Sequence, residues 1–174
     1  MTENPITNQD LSGNKADKKA LSLSELLPIE RIKLNVKVNN WQEAIRESGK
    51  LLFESGAVTM DYIDAMIQVA EELGPYIVIA PGIALPHAAT KSGAKQTALS
   101  LVKLANPINF GNPDNDPVHL VFGLAAVDKK IHMLALQALA ELFLDKGLVN
   151  ELFKAESTTV ILTIFQKAEK MVNN

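Results

Sequence analysis

Few residues in this chain have side chains suited to covalent or acid–base chemistry near neutral pH. There is no cysteine, and there are three histidines, His87, His119 and His132. Thiolate nucleophiles, disulfides and thiolate metal sites are therefore excluded, and any imidazole chemistry must use these three. His87 lies in the stretch Pro81-Gly82-Ile83-Ala84-Leu85-Pro86-His87-Ala88. Each proline fixes its own φ and biases the preceding residue toward extended geometry. Leu85 is thus expected to be extended, with His87 presented just after a stiff Pro86. A rigid backbone beneath a titratable side chain suits a reacting group, because positioning supplies a large part of a barrier reduction. A neutral imidazole is nucleophilic, and an unperturbed pKa of about 6.5 leaves much of it neutral near pH 7. On these residues alone the stretch reads equally well as a turn carrying a surface histidine.

The other two histidines have different settings. His132 falls in the first turn of a helix that Asp128 can cap, one position off its apolar stripe. A helix N-terminus disfavours imidazolium and attracts anions, so a neutral imidazole there is suited to donating to an anionic group. The plain alternative is an ordinary surface histidine. His119 interrupts an apolar strand between Val118 and Leu120, pointing opposite to both. It either lines a site from the strand end, behind the reacting group, or is a core histidine with one satisfied hydrogen bond. A three-histidine zinc site would be chemically admissible, but no pair has i, i+2 or i, i+4 spacing, and we expect no metal. Asp114 and Asp116 resemble a fragment of a calcium loop without the rest of its pattern, and a turn is the better reading.

The elements that must position these residues follow from the pattern. Residues 1–20 are polar, with almost nothing to bury, and are expected to form a flexible N-terminal tail. Residues 21–174 then form one domain. A short helix from Leu21 is stopped by Pro28. The alternation of Ile32, Leu34, Val36 and Val38 with polar residues predicts a half-buried strand. Asn39 or Asn40 caps a helix from Trp41 to about Ser55, ended by Gly56. Thr59 caps the next, whose buried stripe is Tyr62, Ile63, Met66, Ile67 and Ala70. Strands are predicted over residues 76–80, 97–104 and 117–127, the last apolar enough to be buried on both faces. The intervening run NPINFGNPDNDP marks a turn. Ile131, Leu134, Ala135, Ala138, Leu139 and Leu142 form a helical stripe. A short helix over 149–153, after Gly147, and a last one capped by Ser157 or Thr158 complete a three-layer α/β/α fold with a mixed central sheet and helices on both faces.

Composition narrows the class of partner. The net charge is −3 with basic and acidic residues interspersed, which argues against a nucleic-acid face. No apolar run approaches the roughly 18–20 residues needed to span a bilayer, and the polar N-terminus lacks the apolar core of a signal peptide. A cytoplasmic protein with no membrane insertion is expected.

The run GPYIVIAPGIALPHA, residues 74–88, resembles the active-site segment of enzyme IIA proteins of the bacterial sugar phosphotransferase system. It fits the mannitol/fructose-type fold, closest to the ascorbate-type branch, and the likeness extends over roughly residues 23–172. The resemblance implies that His87 carries a phosphoryl group, a high-energy phosphoramidate suited to a relay, and that His132 stands beside it to stabilise that group. It implies a donor, the histidine-containing phosphocarrier protein, and an acceptor cysteine on enzyme IIB, with the membrane permease enzyme IIC downstream. No cofactor is implied. Docking by such partners calls for an apolar centre around His87, for which Ile83 and Leu85 are the candidates.

Two departures from the family pattern concern charge. Mannitol-type members carry an arginine before the active segment, where this chain has Gln68-Val69-Ala70-Glu71-Glu72. Ascorbate-type members often carry one two residues past the histidine, where Ala89 stands here. Lys91 and Lys95 are the nearest cations in sequence. Two other functions compete with transport. One is a nitrogen-type regulator whose phosphorylation state selects its partner, and the other is a catalytically silent binding module.

Overall fold

The computed structural model describes residues 21–172, with side chains through 170, so the expected tail lies outside the described residues. Its centre is an antiparallel pair, β4 (Ala98–Ile108) and β5 (Val118–Ala125). β1 (Ile32–Val36) lies parallel to β4, and β3 (Ile83–Ala84) parallel to β5. β2 (Val78–Ala80) closes the far edge antiparallel to β3. The sheet is thus mixed, in the order β1-β4-β5-β3-β2.

Side-chain alternation along β4 and β5 sorts the core into two layers. Ala98, Val102, Val121 and Ala125 pack under α2 (Trp41–Glu54) and α3 (Met60–Leu73). Leu99, Leu101, Leu120, Phe122 and Leu124 pack under the other four helices. These are α1 (Leu23–Leu26), α4 (Lys129–Leu144), α5 (Lys146–Lys154) and α6 (Thr158–Val172). The six helices among the described residues therefore cover both faces, as the apolar run of β5 requires. None of them is long and apolar enough to cross a membrane.

Capping agrees with the sequence in most places. Asn40 accepts from Glu43 N–H at 2.9 Å, Asp128 from Ile131 N–H at 2.8 Å and Ser157 from Val160 N–H at 3.1 Å. Several expectations are corrected. Thr59 occupies the N-cap of α3, but its side chain makes no cap bond, and its own N–H donates to Gly93 O. The strand expected from Tyr76 begins at Val78, because Gly74 at φ +75° ends α3 and Pro75–Ile77 form a 3-10 turn. β4 runs on to Ile108, which regains pairing with Val118 past a register shift that accommodates Pro107. Asp145 caps Leu148 N–H, drawing Gly147 inside α5 and starting that helix at Lys146.

The Asn- and Asp-rich turn is wired internally. The Asp116 carboxylate accepts from the N–H groups of Phe110, Gly111 and Asn112 at 2.8–3.0 Å, and Asn112 Oδ1 accepts from Asp114 and Asn115 N–H.

Candidate functional site

The backbone beneath His87 is fastened step by step. Pro81 and Gly82 turn the chain between β2 and β3, with Gly82 at φ +78°, a conformation open to glycine. A Cβ there would also approach the Phe153 ring to 2.9 Å. Gly82 O accepts from the N–H groups of His119 and Leu120, which sets the register of β3 on β5. Leu85 N–H donates to Ile77 O at 2.8 Å, and Pro86 O accepts from Leu124 N–H at 3.1 Å. His87 then bridges Leu124 in parallel sense, at the C-terminal end of β5. From that end the chain passes through Asp128 into α4. The parallel pairing therefore delivers the two histidines to the same end of the sheet.

The His87 and His132 rings meet at 5.0 Å between centroids, 66° between planes. His87 Nδ1 lies 2.9 Å from Leu85 O. A carbonyl oxygen only accepts, so Nδ1 carries the proton and donates, leaving the Nε2 lone pair free. His132 is half-buried in the first turn of α4, its backbone N–H on Asp128 O at 3.0 Å. Burial, and secondarily the proximity of His87, hold its pKa below the ordinary histidine value. It is therefore neutral near pH 7, with one ring N–H to donate. A bare nucleophilic nitrogen beside a neutral donor is an arrangement that can accept and hold an anionic electrophile.

The structure separates the other sequence candidates from this pair. His119 sits near the opposite end of β5, five residues from Leu124 and thus roughly 17 Å away along the strand. Its ring packs edge-on against Phe153 at 5.4 Å, so it belongs to the α5 interface rather than to the site. Ile83 and Leu85 are 0% and 1% exposed and belong to the core layer shared with residues of α4, α5 and α6, with β3 paired on both sides. They cannot meet a partner. The exposed apolar side chains in this region are Val127 and Met133, at 43% and 55%. Lys91, in the 3-10 turn Thr90–Ser92, and Lys95, whose N–H is tied to Ala57 O, are both exposed. Among the described contacts none joins either lysine to the histidines.

One neighbour was legible only as core. Tyr62, on the buried stripe of α3, sends its hydroxyl to the backbone at Ala88 and Leu124. The available clue was general, since a buried tyrosine hydroxyl usually finds a partner.

Comparison with known proteins identifies the family that shares this fold. Residues 25–168 match the family described as "Phosphoenolpyruvate-dependent sugar phosphotransferase system, EIIA 2". An ascorbate-specific PTS system EIIA component of Salmonella choleraesuis is 35% identical over 137 residues, covering 78% of this chain and 89% of that protein. The solution structure of the mannitol-specific cryptic phosphotransferase enzyme IIA of Escherichia coli superposes with a TM-score of 0.76 at 34% identity, over 84% of this chain and 99% of the other. Mannitol enzyme IIA of Escherichia coli, solved in complex with phosphorylated mannitol enzyme IIB, gives a TM-score of 0.73 at 25% identity, over 82% and 99% of the two chains. With the fold and most of its length shared, this chain belongs to the EIIA 2 family of the phosphoenolpyruvate-dependent sugar phosphotransferase system.

Proposed function

We propose that the protein is a phosphoryl carrier that takes phosphate onto Nε2 of His87 from the phosphorylated histidine-containing phosphocarrier protein and passes it to a cysteine of enzyme IIB. The observation that carries this reading is the Leu85 O···Nδ1 bond, which leaves Nε2 bare, with His132 at 5.0 Å. In the forward step the Nε2 lone pair attacks phosphorus. The donor's N–P bond breaks, and its electron pair stays on the donor imidazole. Positive charge that develops on the His87 ring is shared through Nδ1–H with Leu85 O. A cysteine thiolate then attacks the same phosphorus, and the Nε2–P pair returns to His87. His132, neutral before transfer, donates a ring N–H to a phosphoryl oxygen.

No metal or cofactor is required, because in-line transfer between two nucleophiles relies on positioning and electrostatic stabilisation. The docking centre is formed by the exposed Val127, just past β5, and Met133, beside His132, together with the exposed Ala89 two residues after His87, and with Lys91 and Lys95 as cations on the rim. One relative supports enzyme IIB as partner, since mannitol enzyme IIA of Escherichia coli was solved bound to phosphorylated enzyme IIB. The relative named ascorbate-specific supports transport over a regulatory or silent role, and a membrane enzyme IIC downstream and a cytoplasmic carrier belong to that same reading.

The test is phosphoryl transfer from phosphoenolpyruvate through enzyme I and the phosphocarrier protein, read as an acid-labile mass gain of one phosphate. Label on the wild type and none on His87→Ala is the expected result. Label that survives His87→Ala would sink the assignment.

A further inference from the structure

The phosphoryl-acceptor reading leaves open what keeps the His87 backbone from relaxing, since the residue lies beyond the last regular pair of β3. Leu124 fastens both flanks. Its N–H donates to Pro86 O at 3.1 Å, on the near side of His87. Its carbonyl is reached from the far side through a tyrosine. Ala88 N–H donates to the Tyr62 hydroxyl at 3.1 Å, and that hydroxyl donates to Leu124 O at 2.7 Å, with Ala88 O a second carbonyl at 3.2 Å. Tyr62 and Leu124 are fully buried, and Ala88 is nearly so.

In a parallel ladder the amide after a bridged residue would donate to the partner carbonyl directly. Relaying that link through a hydroxyl anchored on α3 holds the chain at His87 while setting its distance from β5. The side chain can then fold back so that Nδ1 meets Leu85 O. Burial raises the Tyr62 pKa, so the O–H remains a donor across the neutral range.

We infer that Tyr62 is a positioning residue for phosphoryl transfer: its buried hydroxyl clamps Ala88 to Leu124 and thereby fixes the Nδ1–H tautomer that leaves His87 Nε2 nucleophilic. This rests on the phosphoryl-acceptor reading above. Tyr62 touches no reacting atom, so its effect must appear in the tautomer and in the turnover step, beyond any loss of stability.

Tyr62→Phe keeps the ring and removes only the hydroxyl. The matched control is Ser100→Ala, which deletes another buried hydroxyl, donating to Ser48 O at 2.8 Å on the α2 face and taking no part in the Ala88–Leu124 link. Both variants should melt lower than the wild type. Tyr62→Phe alone should show a mixed His87 tautomer in long-range 1H–15N spectra, and turnover at saturating phosphocarrier about tenfold slower with KM unchanged. A Tyr62→Phe protein with wild-type tautomer and turnover overturns the inference. Should that variant not fold, amide exchange on the wild type decides. Ala88 N–H must then be protected about 100-fold or more although it lies outside regular structure, and a freely exchanging amide overturns the clamp. The tautomer and exchange readouts need no transfer, so a wild type that takes no phosphate defeats the acceptor reading without touching them.

Discussion

His87 and His119 are bound to the same strand, β5, at opposite ends, and their surroundings give them different roles. At the Leu124 end, an imidazole faces a second imidazole at the start of a capped helix, over a backbone held on both flanks. At the Val118 end, an imidazole lies edge-on against Phe153, beside a loop whose polar groups are already satisfied by Asp116 and Asn112. One setting leaves a nitrogen lone pair bare. The other uses the ring as a flat, partly apolar surface. The residue type is the same, and the groups opposite decide what it does.

The comparison can be broken in several places. Beyond loss of label on His87→Ala, the largest effect is expected at His132. Replacing it with Ala should slow transfer about 100-fold at saturating partner, the size of effect seen when one donor to a developing anion is removed. Steady-state turnover with phosphocarrier in excess measures it. Next comes Met133→Glu, which places a carboxylate on the proposed docking centre. It should raise KM for the partner about tenfold with little change in turnover, and it distinguishes docking by Met133 from the earlier expectation of Ile83 and Leu85. His119→Gln should transfer within about twofold of wild type, because the histidine's contacts lie with α5. A tenfold loss there would erase the contrast between the two ends.

The smallest expected effect is a pH slope in stability. His132 is held below its ordinary pKa, first by burial and then by His87. Just below about pH 6.5 the unfolded chain therefore binds more protons at this position than the folded one. Stability contributed by His132 rises with pH through that window and levels off above it. Thermal melts between acidic and neutral pH should show this slope in the wild type, and it should be flatter in His132→Ala. A slope unchanged by that substitution would mean that another group carries it.

What could be read from the sequence was largely local. Pro86 before His87, Asp128 before His132 and the stripe of α3 each act within a few residues, and each appears where expected. What went unread depended on pairing between distant segments. Whether Ile83 and Leu85 face a partner or the core turns on β3 gaining a neighbour on each side, β2 and β5, which no local pattern encodes. Which end of β5 carries the site turns on the parallel sense of the β3–β5 pairing. The alternation around His119 was read locally, without that direction. The alternation of β1 likewise promised a strand to Val38, but Asn35 takes a positive φ of 55° and the strand ends at Val36. Tyr62 was identified as core, and its hydroxyl contacts reach 26 and 62 residues along the chain.

The most direct measurement is a long-range 1H–15N correlation on 15N-histidine protein, before and after phosphorylation through the phosphocarrier. The account predicts that unphosphorylated His87 carries its proton on Nδ1. It predicts that phosphorus then appears on Nε2 of His87, and that the His132 pKa rises beside the new negative charge. Phosphorus on Nδ1, or on another histidine, or an unphosphorylated His87 protonated on Nε2, would contradict it.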